Sequence, residues 1–236
     1  SKLALTQSDW VKRLLQEQHP GLEIRLEAVE TRGDRMSGSL RSFGGQGIFT
    51  TELEKSLLSG AIDLAVHSLK DLPTGLHEDL VIAAIPSRED ARDVLIAREP
   101  KCSIEDLPLH ARLGTGSLRR RSQLSALRPD FQYLDIRGNI DTRLCKLREG
   151  ECDALVLAAA ALHRLRWQTA ISAYLELDQM LPAPGQGALA LQMRRDDGRA
   201  DLVTTVQDSA TRVAVTAERS MLSHLGGGCQ APIAAY

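Results

Sequence analysis

The feature that most constrains this chain is a repeated alternation of short apolar runs with helix-patterned segments, which restarts near residue 92. Residues 3–18 place Leu5, Trp10, Val11, Leu14 and Leu15 on one predicted inward face, and His19-Pro20-Gly21 ends that helix. Residues 22–29 alternate apolar and charged, which predicts a strand with one wet face. A polar, Gly-rich loop is expected over 31–47. Thr51-x-x-Glu54 then has capping-box spacing, and Gly60 is a natural helix stop. Residues 62–66 predict a short buried strand that delivers His67-Ser68-Leu69-Lys70-Asp71 to its end, and 81–85 and 94–97 predict further strands. The second block reads as a helical turn (104–107), a strand (112–114), a helix through 127, a strand (131–136), a helix (140–148), a strand (154–157) and a helix to 166. A strand (188–193) and a helix (212–224) follow. This order predicts α/β layers with largely parallel pairing, in two domains with a cleft between them. The last helix, the glycine run and residues 231–236 predict the start of a third unit.

Length and charge narrow the function. A chain of 236 residues suits one large domain or two small ones. A net charge of -2 argues against a general nucleic-acid or membrane-surface binder. The longest apolar run, residues 154–162, is well short of the ~18–20 residues that span a bilayer. The opening residues have a helical pattern rather than that of a signal peptide, and with no initiator Met the true start is expected upstream. The four cysteines (Cys102, Cys145, Cys152, Cys229) lack zinc-ligand spacing, so free thiols in a reducing compartment are expected, with the first three structural.

Of the 29 basic residues 23 are Arg, whose planar fork suits carboxylates and phosphates. Their placement is pointed. Thr115-Gly116-Ser117-Leu118-Arg119-Arg120-Arg121 sits where a strand turns into a helix, and the unpaired N–H groups of a helix start attract anions. The segment is not a P-loop, and three consecutive arginines point in three directions, so one or two face a ligand and a solvated basic face is the alternative. Arg137-Gly138-Asn139 with Arg143 repeats the design, with Asn139 as a cap, at the strand edge where open α/β sheets bind ligands. Two such sites predict a ligand with several negative groups. Asp71, beside Lys70 and ahead of Pro73, is placed to stabilise a cation or move protons, whereas His67 reads as structural. Gly226-Gly227-Gly228-Cys229 presents a thiol on a permissive loop, and from the residues alone Cys229 is equally a nucleophile or an ordinary loop residue. Pro182 to Ala188 reads as a rigid turn and a return crossover between domains. Gly44-Gly45-Gln46-Gly47-Ile48-Phe49 reads as a lid loop.

In this order these segments resemble the porphobilinogen deaminase (hydroxymethylbilane synthase) family. The resemblance spans the chain and is carried by Ser1-Lys2-Leu3-Ala4, Thr31-Arg32-Gly33-Asp34, the Gly44 to Phe49 loop, Val66 to Pro73, Gly114 to Arg120, Arg137 to Arg143, Gly185 to Ala188, and Ala217-Glu218-Arg219 leading to Gly227-Gly228-Cys229. It implies an α/β fold of two hinged domains similar to type II periplasmic binding proteins (1–88 with 186–208, and 92–182), plus the start of a third α+β domain (210–236). It implies a dipyrromethane cofactor joined by a thioether to Cys229, and stepwise addition of four porphobilinogen units with loss of ammonia to give hydroxymethylbilane. On that resemblance Asp71 is catalytic. Lys70, Ser68, Thr115, Ser117, Arg119, Arg120, Arg137, Arg143 and Gly187 contact the cofactor, and Arg164, Phe49 and Gln186 the substrate. No metal, nucleic acid or membrane is implied. A cytoplasmic monomer is, with hand-over of product to uroporphyrinogen-III synthase. The family pattern also carries a basic strand before Ser1 and a third-domain remainder after Tyr236, so a longer parent chain is expected. Gln46 stands where many members have Lys, which removes one positive charge from the lid loop.

Two other readings compete. A non-catalytic binding protein of the same two-lobed shape would hold a polycarboxylate, but it has no use for the Gly-Gly-Gly-Cys loop, and a covalent pyrrole adduct would exclude it. A nucleic-acid module built on Arg119 to Arg121 fits poorly with the acidic balance and only eight aromatic residues. A steep salt dependence of binding would mark it.

Overall fold

The computed structural model describes residues 1–29, 50–226 and 231–236. The elements in chain order are α1 (Lys2–Gln18), α2 (Thr51–Leu58), β1 (Ala65–Ser68), a 3-10 turn (Leu69–Asp71), β2 (Leu80–Ala84), β3 (Asp93–Ala97) and β4 (Arg112–Gly114). Then come α3 (Leu118–Leu127), β5 (Gln132–Leu134), α4 (Ile140–Arg148), β6 (Ala154–Ala158), α5 (Ala159–Leu165), a 3-10 turn (Gln168–Ala170), β7 (Ala173–Leu175), β8 (Leu189–Arg194), α6 (Ala200–Thr204) and α7 (Ser209–His224). They form two compact units, Ser1–Glu89 with Ala188–Cys229, and Asp90–Gly187 with Gln230–Tyr236. The chain passes back from the second to the first at the turn expected there, and α7 groups with the first unit.

The first unit is built on a three-stranded sheet of order β1-β8-β2, with both pairs antiparallel. Leu189, Leu191 and Met193 of β8 pack on one face against Val11 and Leu15 of α1 and Val203 of α6. Ala188 and Ala190 pack with Leu69, Leu72 and Val215 of α7. Alternate residues of β8 therefore serve two cores, as the pleat requires. The buried stripe of α1 is Gln7, Val11 and Leu15. Leu5, expected inward, is 57% exposed, because it lies two residues, or about 200°, from Gln7 on the helix. Residues 22–29, expected as a strand, form none. Leu22 and Ile24 pack on the α1 core, but among the described residues no strand bonds to this segment. The cap of α2 is Thr50 rather than Thr51, and no side chain bonds there. Glu54, the expected partner in a capping box, instead accepts from Gln192 Nε2 at 3.2 Å.

The second unit holds a five-stranded sheet of order β5-β4-β6-β3-β7. Both faces are covered. Leu95, Leu113 and Val156 pack with Leu124 of α3, while Val94, Ile96, Leu155 and Leu157 pack with Leu144 and Leu147 of α4 and Leu162 of α5. Two-sided burial explains the continuous apolar runs of β3 and β6. Only β4 pairs in parallel, with β5 and β6, whereas β3 is antiparallel to both β6 and β7. The expectation of largely parallel pairing is thus corrected. Strands β3 and β8 each enter a sheet just after the chain changes units, so no local crossover helix sets their direction.

Candidate active site

In the second unit, three parallel strands end at one edge, and each delivers its loop into a helix. After β4, the Thr115 hydroxyl accepts from the Ser117 N–H (3.2 Å), and Ser117 Oγ caps α3 by accepting from the Arg120 N–H (3.4 Å). Arg121 turns back on its own loop, donating Nε and Nη2 to Thr115 O (3.0 and 2.9 Å) and stacking over Tyr133. Arg119 and Arg120 point into the protein instead. Both converge on Asp93, which is fully buried. Arg119 Nη2 donates to Oδ2 and Arg120 Nη2 to Oδ1, each at 2.7 Å. Arg120 Nε also donates to Asp93 Oδ1 (3.2 Å), and the Nη1 groups of Arg119 and Arg120 reach Leu181 O (2.6 Å) and Val156 O (3.0 Å). Gln186, also fully buried, gives its amide hydrogens to Asp93 Oδ1 (2.9 Å) and Ala91 O (2.7 Å). Two guanidiniums on one carboxylate leave a positive excess just beneath the helix start. Burial lowers the pKa of Arg119, and the adjacent Asp93 opposes that shift. Asp93 and the bracing place of Gln186 carry no local sequence signal beyond an acid opening an apolar strand.

After β5, Arg137 donates Nε and Nη2 to Asp135 Oδ2 (3.0 and 2.7 Å). Its Nη1 is buried with no hydrogen-bond partner among the described residues. Gly116 belongs to the neighbouring loop, and a Cβ there would lie 2.7 Å from Asp135 Oδ1. Gly138 has φ +107°, Arg143 Nε donates to Gly138 O (2.8 Å), and Asn139 holds the cap position of α4 through its backbone alone. From α5, Arg164 Nη2 donates to Gly187 O at 2.7 Å.

In the first unit, β1 leads into the turn Leu69–Asp71. His67 is buried against Gln192 Oε1 (2.9 Å), and burial lowers its pKa to about 4, so it is neutral and structural as expected. Ser68 Oγ accepts from Gln7 Nε2 (3.1 Å). Leu69 and Leu72 anchor the turn in the core, while Lys70 is half-buried and Asp71 is exposed. Buried leucines flank Asp71 on both sides, and its own side chain is exposed. Arg219 of α7 donates to Leu69 O (3.3 Å), Leu72 O (2.8 Å) and Pro73 O (2.7 Å), wrapping this turn. Beside it, Arg88 and Glu218 form a buried, two-pronged ion pair (2.6 and 3.0 Å). Sequence reasoning missed Arg219 as a site residue. The available signal was a charged pair, Glu218-Arg219, breaking the inward face that Val215 and Leu222 continue. Cys229, Phe49, Gln46 and the lid loop lie outside the described residues. Among the described residues no helix is long and apolar enough to cross a membrane.

Fold and site together define an α/β protein that gathers arginines at the ends of parallel strands. A periplasmic substrate-binding protein of an ABC transporter from Coxiella burnetii shares the fold, with a TM-score of 0.53 at 12% identity over 92% of this chain and 94% of that one. The chain belongs to the porphobilinogen deaminase family. Residues 1–201 match the family described as "Porphobilinogen deaminase, dipyromethane cofactor binding domain", and residues 212–236 match "Porphobilinogen deaminase, C-terminal domain". The porphobilinogen deaminase of Syntrophobacter fumaroxidans is 50% identical over 238 residues, covering 100% of this chain and 77% of that protein. Those of Roseiflexus sp. and Brevibacillus brevis are also 50% identical, each over 100% of this chain and 78% and 77% of theirs. Membership makes the chain a transferase of tetrapyrrole biosynthesis with a dipyrromethane-binding domain.

Proposed function

We propose that this chain condenses four porphobilinogen units, with release of ammonia, onto a dipyrromethane attached to Cys229, and so forms hydroxymethylbilane. The observation that carries this reading is the donor set at the strand ends of the second unit. A positive excess is built around Asp93, and the buried Nη1 of Arg137 has an N–H to give and no acceptor among the described residues. Pyrrole acetates and propionates match those donors in charge and shape.

When bound, the dipyrromethane supplies the pyrrole carbon to which new units are joined. Arg119, Arg120, Arg137 and Arg143 hold carboxylates, and the Thr115 and Ser117 hydroxyls and the α3 start assist them. Lys70 and Ser68 contact the same ligand beside Asp71, and the Gly187 backbone approaches it closely. Arg164 and Phe49 meet the incoming porphobilinogen, and Gln186 acts from behind by bracing Asp93. As ammonia leaves porphobilinogen, the ring becomes cationic, and the Asp71 carboxylate faces that charge and takes up the proton released on condensation. Being exposed, Asp71 is reachable by each ring in turn.

The domain reading that goes with this chemistry has residues 1–88 with 186–208 as one domain, 92–182 as a second, and 210–236 opening a third. The match of residues 212–236 to the family's C-terminal domain supports it. A cytoplasmic monomer that hands its product to uroporphyrinogen-III synthase completes the proposal. The free thiols of Cys102, Cys145 and Cys152 suit a reducing compartment. The direct test is porphobilinogen turnover by Asp71→Asn. We expect kcat lower by about 10²–10⁴-fold with KM little changed. Undiminished kcat would remove Asp71 from the reaction.

A further inference from the structure

We infer that Arg219 is a positioning residue for Asp71, an inference that rests on the proposed role of Asp71 in the reaction. The turn Leu69–Asp71 is three residues long and ends on an exposed carboxylate. Core burial holds Leu69 and Leu72 on either side. Between and beyond them, the carbonyls of Leu69, Leu72 and Pro73 all turn to one guanidinium. A planar fork with five donors can satisfy three carbonyls of a tight turn at once.

The clamp is itself held. The neighbouring Glu218 is locked by Arg88, and α7 is tied to the loop after β2 through Thr211 Oγ1, which accepts from the Arg88 N–H (3.1 Å). Asp208 Oδ1 caps α7 by accepting from the Thr211 N–H (2.7 Å). Helix α7 thus presents Arg219 from a fixed base. The same helix leads in sequence to Cys229, ten residues after Arg219. Displacing a reacting group by about 1 Å costs on the order of 10²-fold in rate, so loss of the clamp is felt at Asp71 without any change in its chemistry.

The test uses the holoenzyme with three variants: Arg219→Gln, Asp71→Asn and the double variant. In Arg219→Gln we expect kcat lower by about 10–100-fold with KM within about 2-fold, and dipyrromethane still attached by intact mass. Amide hydrogen exchange over residues 69–73 is expected to speed up by at least about 10-fold while the rest of the first unit is unchanged. The double variant is expected to be no slower than Asp71→Asn alone, because Arg219 acts through Asp71. Multiplicative losses in the double variant, or unchanged exchange over 69–73, would overturn the inference. Should Arg219→Gln fail to accumulate, Arg219→Lys keeps the charge, removes the fork and is read by the same exchange and kcat measurements. If Asp71→Asn itself retains full kcat, the role of Asp71 is what fails, and the exchange data alone then decide whether the clamp exists.

Discussion

The two units handle their working charges in opposite ways. In the second, Arg119 and Arg120 are buried and fixed side chain to side chain on Asp93. In the first, Asp71 is left exposed, and it is the backbone beneath it that Arg219 holds. On the proposed mechanism the difference follows from what each group would do. A carboxylate that meets successive rings needs access, and Arg219 gives rigidity to the chain that carries it. Arginines that hold an anion gain strength from a low-dielectric setting, yet two bare guanidiniums could not be buried together, so a counter-charge is built in.

Three measurements sharpen or break this contrast. The largest effect is expected for Asp93→Asn, which leaves two buried guanidiniums with no carboxylate. Breaking such a pair costs about 3–5 kcal/mol, so denaturant unfolding should show a large loss of stability in the second unit. A loss below about 1 kcal/mol would mean that the arginines find other partners. Next comes acid sensitivity in the first unit. His67 has a folded pKa of about 4, below its unfolded value near 6.5, so the unfolded chain takes up the proton first. Its contribution is complete above pH ~6.5 and is lost as pH falls toward ~4, up to about 3 kcal/mol in all. His67→Gln should flatten that slope in urea titrations between those pH values, and an unaltered slope would place the acid-sensitive group elsewhere. The smallest effect is expected for Arg137→Gln. Its side chain is 36% exposed, so the fold should persist. Losing charge-assisted bonds worth about 1.5–3 kcal/mol should weaken tetrapyrrole binding by about 10–100-fold. Unchanged binding would show that its buried Nη1 serves no ligand.

Much of this was legible in the sequence, for identifiable reasons. Helix α4 reads correctly because its caps, its periodicity and the flanking strands all agree. The β6 run and the strand-end placement of Thr115, Ser117 and Arg137 follow from apolar runs closed by Gly and polar residues. Strand β7 and helix α6 are too short to leave a periodic signal, and residues 22–29, though they alternate, pair with no strand among the described residues. Arg119 and Arg120 stand out in the sequence as candidate anion-binding groups. Their partner Asp93 was not, because it lies 26 and 27 residues away and only the pairing of β3 with β6 brings it beneath α3. Arg219 was hidden for the same reason, since its acceptors are backbone carbonyls 146 to 150 residues back.

Attachment of the dipyrromethane at Cys229 is the central element of the proposed function. The intact mass of the denatured chain, parent against Cys229→Ser, tests that directly. The parent is predicted to exceed its sequence mass by two porphobilinogen units less two ammonia, and Cys229→Ser to show no excess. A parent that carries no adduct even after incubation with porphobilinogen, or an adduct that survives in Cys229→Ser, would contradict it.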